Sequence, residues 1–155
     1  AISVYQHQKE PEDNWMWSEE PLPISYQVKR PDKIVDTVAL NLSLSAMIDN
    51  ARITSVLGDN VSIWTVTIDD PNNDFLKSRT QLQAFRERFR KLLNEIKLEQ
   101  GQHQVIHVFS AAPVAVAIEI GRVWMPKADL PLMLYDQNYK LGGFAEAFKI
   151  GSDQL

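Results

Sequence analysis

Cysteine is absent from the 155 residues. That excludes disulfides, thiolate metal centres and a cysteine nucleophile. It fits a cytoplasmic setting, where thiols stay reduced. A surplus of positive charge is also missing. Sixteen Lys and Arg against twenty Asp and Glu leave a net charge of −4. Salt-driven binding to duplex nucleic acid needs a dominant basic surface and is not expected here. A local basic pocket for a small anion is compatible with this balance. No run approaches the roughly 18 apolar residues that span a bilayer. The longest, around residues 111–118, stops at Glu119, so no membrane association is expected. The opening AISVYQHQKE lacks a basic stretch followed by a long apolar one and is not a secretory signal. It also lacks an initiator Met, which reads as a domain excised from a chain that starts earlier. No GxGxxG, Walker lysine motif or GxSxG elbow is present. A dinucleotide cofactor, a conventionally bound NTP and serine hydrolysis are thereby disfavoured, and no cofactor is expected.

What is present suffices for a packed domain. Hydrophobic residues make up 45% and charged residues 23%, near the average for a globular chain of one domain. Residues 1–36 read as an irregular arm with a candidate edge strand at 1–8. Four prolines from Pro11 to Pro31 preclude a long helix there. From residue 37 the pattern sharpens. TVALNLSLS alternates, with Val38, Leu40, Leu42 and Leu44 on one face, which predicts a strand over 37–45. Helical spacing follows over 47–57, closed by Gly58. VSIWTVTI predicts a strand at 61–68. Leu82, Phe85, Phe89, Leu92, Leu93 and Ile96 form one apolar helical stripe ending before Gly101. A strand at 105–109, a helix from Pro113 to about Trp124, and strands at 132–135 and 144–150 complete the order. Such alternation predicts an α/β, Rossmann-like fold: a mostly parallel sheet with helices on both faces.

In open parallel sheets, ligands bind beyond the carboxyl ends of the strands, where crossovers diverge. Two ends stand out. Ser43-Leu44-Ser45 closes the first strand of the alternating region. Ser110-Ala111-Ala112-Pro113 forms a small-residue turn into a helix, whose free amides and dipole suit a phosphate. The plainer reading makes Ser110 a capping-region hydroxyl and the alanines packing residues. His103 and His107 have no accompanying carboxylate cluster, so no metal site is expected. His107 within VIHVF is more often a hydrogen-bonded core residue than a base. Asp69, Asp70 and Asp74 read as turn and helix-start residues rather than a metal site or an acid–base pair. Arg79, Arg86 and Arg90 read as a solvated helix face rather than a basic strip. Trp15 and Trp17, two apart in a polar arm, either stack on a base or dock the arm onto the domain.

The ordered set H-x-F-x-x-x-P (107–113), E-x-G-R (119–122), M-P-K (125–127) and Y-D-Q (135–137) resembles the SAVED domain of bacterial anti-phage (CBASS) effectors. The stretch ALNLSLSAMIDNARITSVLGDNVSIWTVTIDDPNNDFLKSRTQLQAF extends the resemblance over about residues 37–151. It implies that 37–155 is one CARF-like half of a SAVED domain. It further implies a non-catalytic sensor that binds a cyclic di- or trinucleotide second messenger, self-associates on binding and activates an effector fused in the same natural chain. Ser43, Leu44, Ser45, Ser110, Ala111, Ala112, Pro113, Arg122 and Lys127 are the ligand residues implied; Trp15 and Trp17 join them as ligand candidates from the arm's own sequence, since the resemblance does not say which aromatic stacks on a base. Two other readings stay open: a Rossmann-like phosphodiesterase that degrades the messenger, and a pure assembly module.

Overall fold

The computed structural model describes residues 24–72, 76, 78–112, 114–138 and 143–151. Its elements run β1 (Gln27–Lys29), β2 (Val38–Ser43), α1 (Asn50–Leu57), β3 (Ser62–Thr67), α2 (Arg79–Gln100), β4 (Ile106–Ala111), α3 (Val114–Val123), β5 (Leu132–Asn138) and β6 (Gly143–Ile150). Among the described residues the sheet has six strands in the order β1-β3-β2-β4-β5-β6. The central four are parallel, while β1 on β3 and β6 on β5 are antiparallel. The sheet is thus mixed, with the expected parallel centre.

The period-two pattern of VALNLS serves two interiors. Val38, Leu40, Leu42 and Leu44 join the core under α2 and α3, with Phe85, Phe89, Leu92, Val116 and Ile120. Ala39, from the alternate set, packs with Ile53 of α1, Phe109 and Tyr135. Every residue of β2 is buried, as a central strand covered on both faces requires. The connection through α1 carries the chain from β2 to β3 on one side. The connection through α2 passes beneath β2 to reach β4 on the other. The crossovers therefore diverge between β2 and β4, which is the topological switch point of the sheet.

Several boundaries differ from the sequence expectation. Helix α1 starts at Asn50 instead of Met47 because the Asp49 carboxylate accepts from Ala51 N and fixes the cap there. Its end is as expected: Gly58 takes φ 88° and donates to Thr54 O. Strand β4 continues through Ser110 to Ala111, held by pairing with Leu42 and Ser43 of β2, so those two residues are ladder rather than turn. Strand β1 lies inside the stretch expected to be irregular. Three residues are too few for a periodic signal, and their pairing with β3 is tertiary. The expected strand at 1–8 lies outside the described residues. The expected solvated arginine face holds for exposed Arg79 and Arg86 but not for Arg90. Arg90 pairs with the buried carboxylate of Asp129 and donates to Val123 O, and Arg86 approaches buried Glu119 at 4.0 Å. These contacts tie α2 to α3 and to the loop beyond it.

Candidate ligand site at the carboxyl ends of the central strands

Strands β2 and β4 are neighbours and end level with each other, Ser43 opposite Ala111. Past that point the chain of β2 does not splay away. Leu44 N and Ser45 N both donate to Ala111 O, at 3.1 and 2.8 Å. The strand ends that the sequence singled out are therefore joined into one ledge at the switch point. The turn after β3 closes its flank, with Asn72 N donating to Leu44 O at 3.1 Å.

A buried polar network sets the shape of this ledge. Asn41, 2% exposed, donates from Nδ2 to Ile48 O (2.9 Å) and Asn50 Oδ1 (3.0 Å). Its Oδ1 accepts from Ser43 Oγ at 2.6 Å, and Ser43 Oγ accepts from Ile48 N at 2.9 Å. Thr67 Oγ1 donates to Ser43 O at 2.9 Å. The loop between β2 and α1 is thus clamped from beneath. The Ser43 hydroxyl is spent inside the protein, and Leu44 is fully buried in the core. What the loop presents outward lies one to three residues later. Among the described residues, the hydroxyl of Ser45 and the amides of Ala46 and Met47 make no hydrogen bond. Ser110, Ala111 and Ala112 are half-buried beside them.

Aromatic rings support the ledge on the α1 side. Phe109 stacks on Tyr135 at 4.3 Å between centroids, and Phe144 meets Phe109 edge-on at 5.2 Å. Arg52, in the first turn of α1, lies over the Phe144 ring at 4.5 Å and makes no ion pair among the described residues. It is a cation at the same end of the sheet as the ledge, and no sequence pattern singled it out.

The remaining candidates fall elsewhere. Strand β4 runs to the ledge, α3 returns, and β5 starts again parallel to β4. Arg122 at the end of α3 and Lys127 in the loop after it therefore lie toward the opposite end of the sheet. The ten residues of α3 rise about 15 Å, so the structure does not bring this pair to the strand ends. Arg122 also pairs with Glu119 at 3.1 Å. Trp15, Trp17 and Pro113 lie outside the described residues. His107 Nδ1 sits 2.8 Å from the Tyr135 hydroxyl. Burial pushes the His107 pKa below its usual value, with Glu146 and Lys149 acting in opposite directions. Burial pushes Tyr135 up to about 12. No group of His and carboxylates able to hold a metal is present among the described residues, and none of their helices is long and apolar enough to cross a membrane.

A family model described as the SMODS-associated and fused to various effectors sensor domain matches residues 1–150. The chain belongs to the SAVED family. The match includes the first 36 residues, which the sequence motifs did not reach. Among solved structures, this SAVED chain is similar to the Acinetobacter baumannii Cap4 SAVED/CARF-domain containing receptor, solved with the cyclic trinucleotide 2'3'3'-cAAA. The TM-score is 0.58 at 13% identity, over 86% of this chain and 28% of the receptor. That likeness concerns the fold. The SAVED chain thus spans under a third of the receptor's length. No curated protein matches its sequence.

Proposed function

We propose that this chain is a non-catalytic sensor that binds a cyclic oligonucleotide at the ledge where β2 and β4 end. The observation that carries the reading is the pair of bonds from Leu44 N and Ser45 N to Ala111 O. They hold Ser45 against Ala111 at the switch point, with the unspent amides of Ala46 and Met47 next along the chain. Membership of a sensor family supports the reading, as does the cyclic trinucleotide held by the Cap4 receptor. A cyclic di- or trinucleotide offers several phosphates and ribose hydroxyls. The ledge amides and the Ser45 hydroxyl meet these groups, and Arg52 supplies the neutralising cation. Arg122 and Lys127, toward the far end of the sheet, then serve contacts between protomers.

A sensor without chemistry of its own reports occupancy by a change in shape or contacts, and a ligand shifts that equilibrium only by its differential affinity for two states. In this reading the change is self-association, which switches on an effector fused in the same chain, in the cytoplasm. The test is calorimetry with cyclic di-, tri- and tetranucleotides, followed by light scattering with the ligand that binds. The expected result is saturable binding and a rise in average mass. Ser110→Glu is expected to abolish binding by repulsion without unfolding the domain. Conversion of the messenger to a linear product would contradict the non-catalytic reading. A well-folded Ser110→Glu protein with unchanged affinity would remove the ledge from the site.

A further inference from the structure

A second cleft, of about 460 Å3, opens on the α1 side of the sheet at its β1 edge. Its floor is Val61 and Ile63, the second of them on β3, and its mouth carries Lys29 and Lys33. It lies on the β1 side of the ledge, and Asn50 stands between the two, its Oδ1 accepting from Asn41 of the network beneath the ledge. Lys29 pairs across the ladder with Thr65, and Thr65 with Asn41, two residues short of the end of β2. The remaining floor residues lie further toward the amino end of β3.

The wall of this cleft is rigidly held. The connection from β1 to β2 is pinned by the fully buried Ser62. Its hydroxyl accepts from Val35 N at 2.7 Å and donates to Lys33 O at 2.8 Å. Lys33 is braced in turn by donating to Asp59 O at 3.1 Å. Arg30 is turned to the other face, over the Trp64 ring and onto Glu95 and Glu99, so it contributes no charge here. The groups that remain are mostly donors. Among the described residues, Lys29 makes no ion pair and the Thr65 hydroxyl makes no hydrogen bond. Asn50 has its carbonyl oxygen taken by Asn41, which leaves its NH2 group unspent. Asp32 on the rim is the one carboxylate.

Two ammonium groups, an amide NH2 and a hydroxyl above an apolar floor match a compact anion with a carbon skeleton attached. A single rim carboxylate matches a hydroxyl on that skeleton. We infer that the cleft is a second binding site, distinct from the ledge, for a phosphate monoester of mononucleotide size. Its volume lies within the range of small-molecule pockets, about 300–1,000 Å3.

The test titrates the 15N-labelled protein with AMP, with inorganic phosphate and with adenosine. Saturable shifts are expected at the amides of Lys29, Lys33 and Thr65 with AMP, weaker ones with phosphate, and none with adenosine. Lys29→Glu is expected to weaken AMP by roughly tenfold or more, as loss of a charge-assisted contact does. Thr65→Val, which keeps the strand residue β-branched, should weaken it less. Lys91→Glu, an exposed lysine on α2 away from the cleft, should leave it unchanged. No saturable shift at these amides, or an equal loss in Lys91→Glu, overturns the inference. The cyclic trinucleotide is titrated separately into the same variants. Unchanged trinucleotide affinity in Lys29→Glu supports two sites, whereas loss of both ligands makes the cleft part of the messenger pocket and overturns the second site. If the trinucleotide binds no variant and not the parent, the messenger reading fails while AMP binding at the cleft still supports this one.

Discussion

Replacing Asn41 by Ala tests whether the buried network shapes the ledge. The side chain makes three hydrogen bonds of 2.6–3.0 Å and is almost wholly buried. Each such bond contributes about 1 kcal/mol net, and a partner left buried and unpaired costs about 1–3 kcal/mol. Ile48 O loses its donor within the network, whereas Ser43 Oγ keeps its bond from Ile48 N and its hydroxyl proton can turn. The sum is a loss of about 2–4 kcal/mol of folding stability. For a chain of this size that lowers Tm by roughly 2–4 °C per kcal/mol. Urea denaturation of parent and variant measures it. Ligand affinity should fall as well, because residues 44–49 lose their support from beneath. A stability change under about 0.5 kcal/mol, the scatter of ordinary surface substitutions, would show that the Asn41 side chain does not hold the loop. It would mean that the loop is held by the Ala111 and Asn72 backbone bonds alone.

Three further outcomes are expected. Arg90→Ala leaves the Asp129 carboxylate, whose side chain is 0% exposed, with the Met125 amide as its remaining partner among the described residues; the stability loss is about 3–5 kcal/mol by denaturant titration, and a loss near zero would place Asp129 in water. His107 has its pKa lowered in the folded chain, so the unfolded chain binds the extra proton first; stability from this residue is full above pH 6.5, the ordinary His value, and is lost as pH falls through that value toward the folded one. Denaturation across pH should show that slope, and His107→Gln should flatten it. Arg52→Ala is expected to weaken messenger binding by about 1–3 kcal/mol, with Arg122→Ala and Lys127→Ala leaving affinity unchanged in the same calorimetric assay.

The parallel centre of the sheet was legible because VALNLS and the α2 stripe carry strong periods, and both periods survive as core faces; the strand order and the antiparallel edges rest on tertiary pairing. The switch point was legible too, through two strand ends rich in small and hydroxyl residues. Which atoms face a ligand was not. Ser43 and Leu44 look equivalent to Ser45 in sequence, yet clamping by Asn41 turns the first inward and core packing claims the second. The one available signal was Asn41 itself. A polar residue in an otherwise apolar central strand must find partners, and the nearest backbone is the loop it holds. Arg122 and Lys127 came from the motif resemblance alone, and the return of α3 sets them toward the far end of the sheet. Arg52 carries no motif, and its place over the Phe144 ring is a tertiary contact that the sequence does not show.

The most direct measurement of the central claim is an amide-resolved titration of the 15N-labelled protein with a cyclic trinucleotide. Saturable shifts are expected to concentrate at Ser45, Ala46, Met47, Ala111 and Ala112, with Arg52 responding alongside. Saturable shifts confined to the Arg122–Lys127 end of the sheet, or no shift at the ledge while the ligand binds, would contradict that claim.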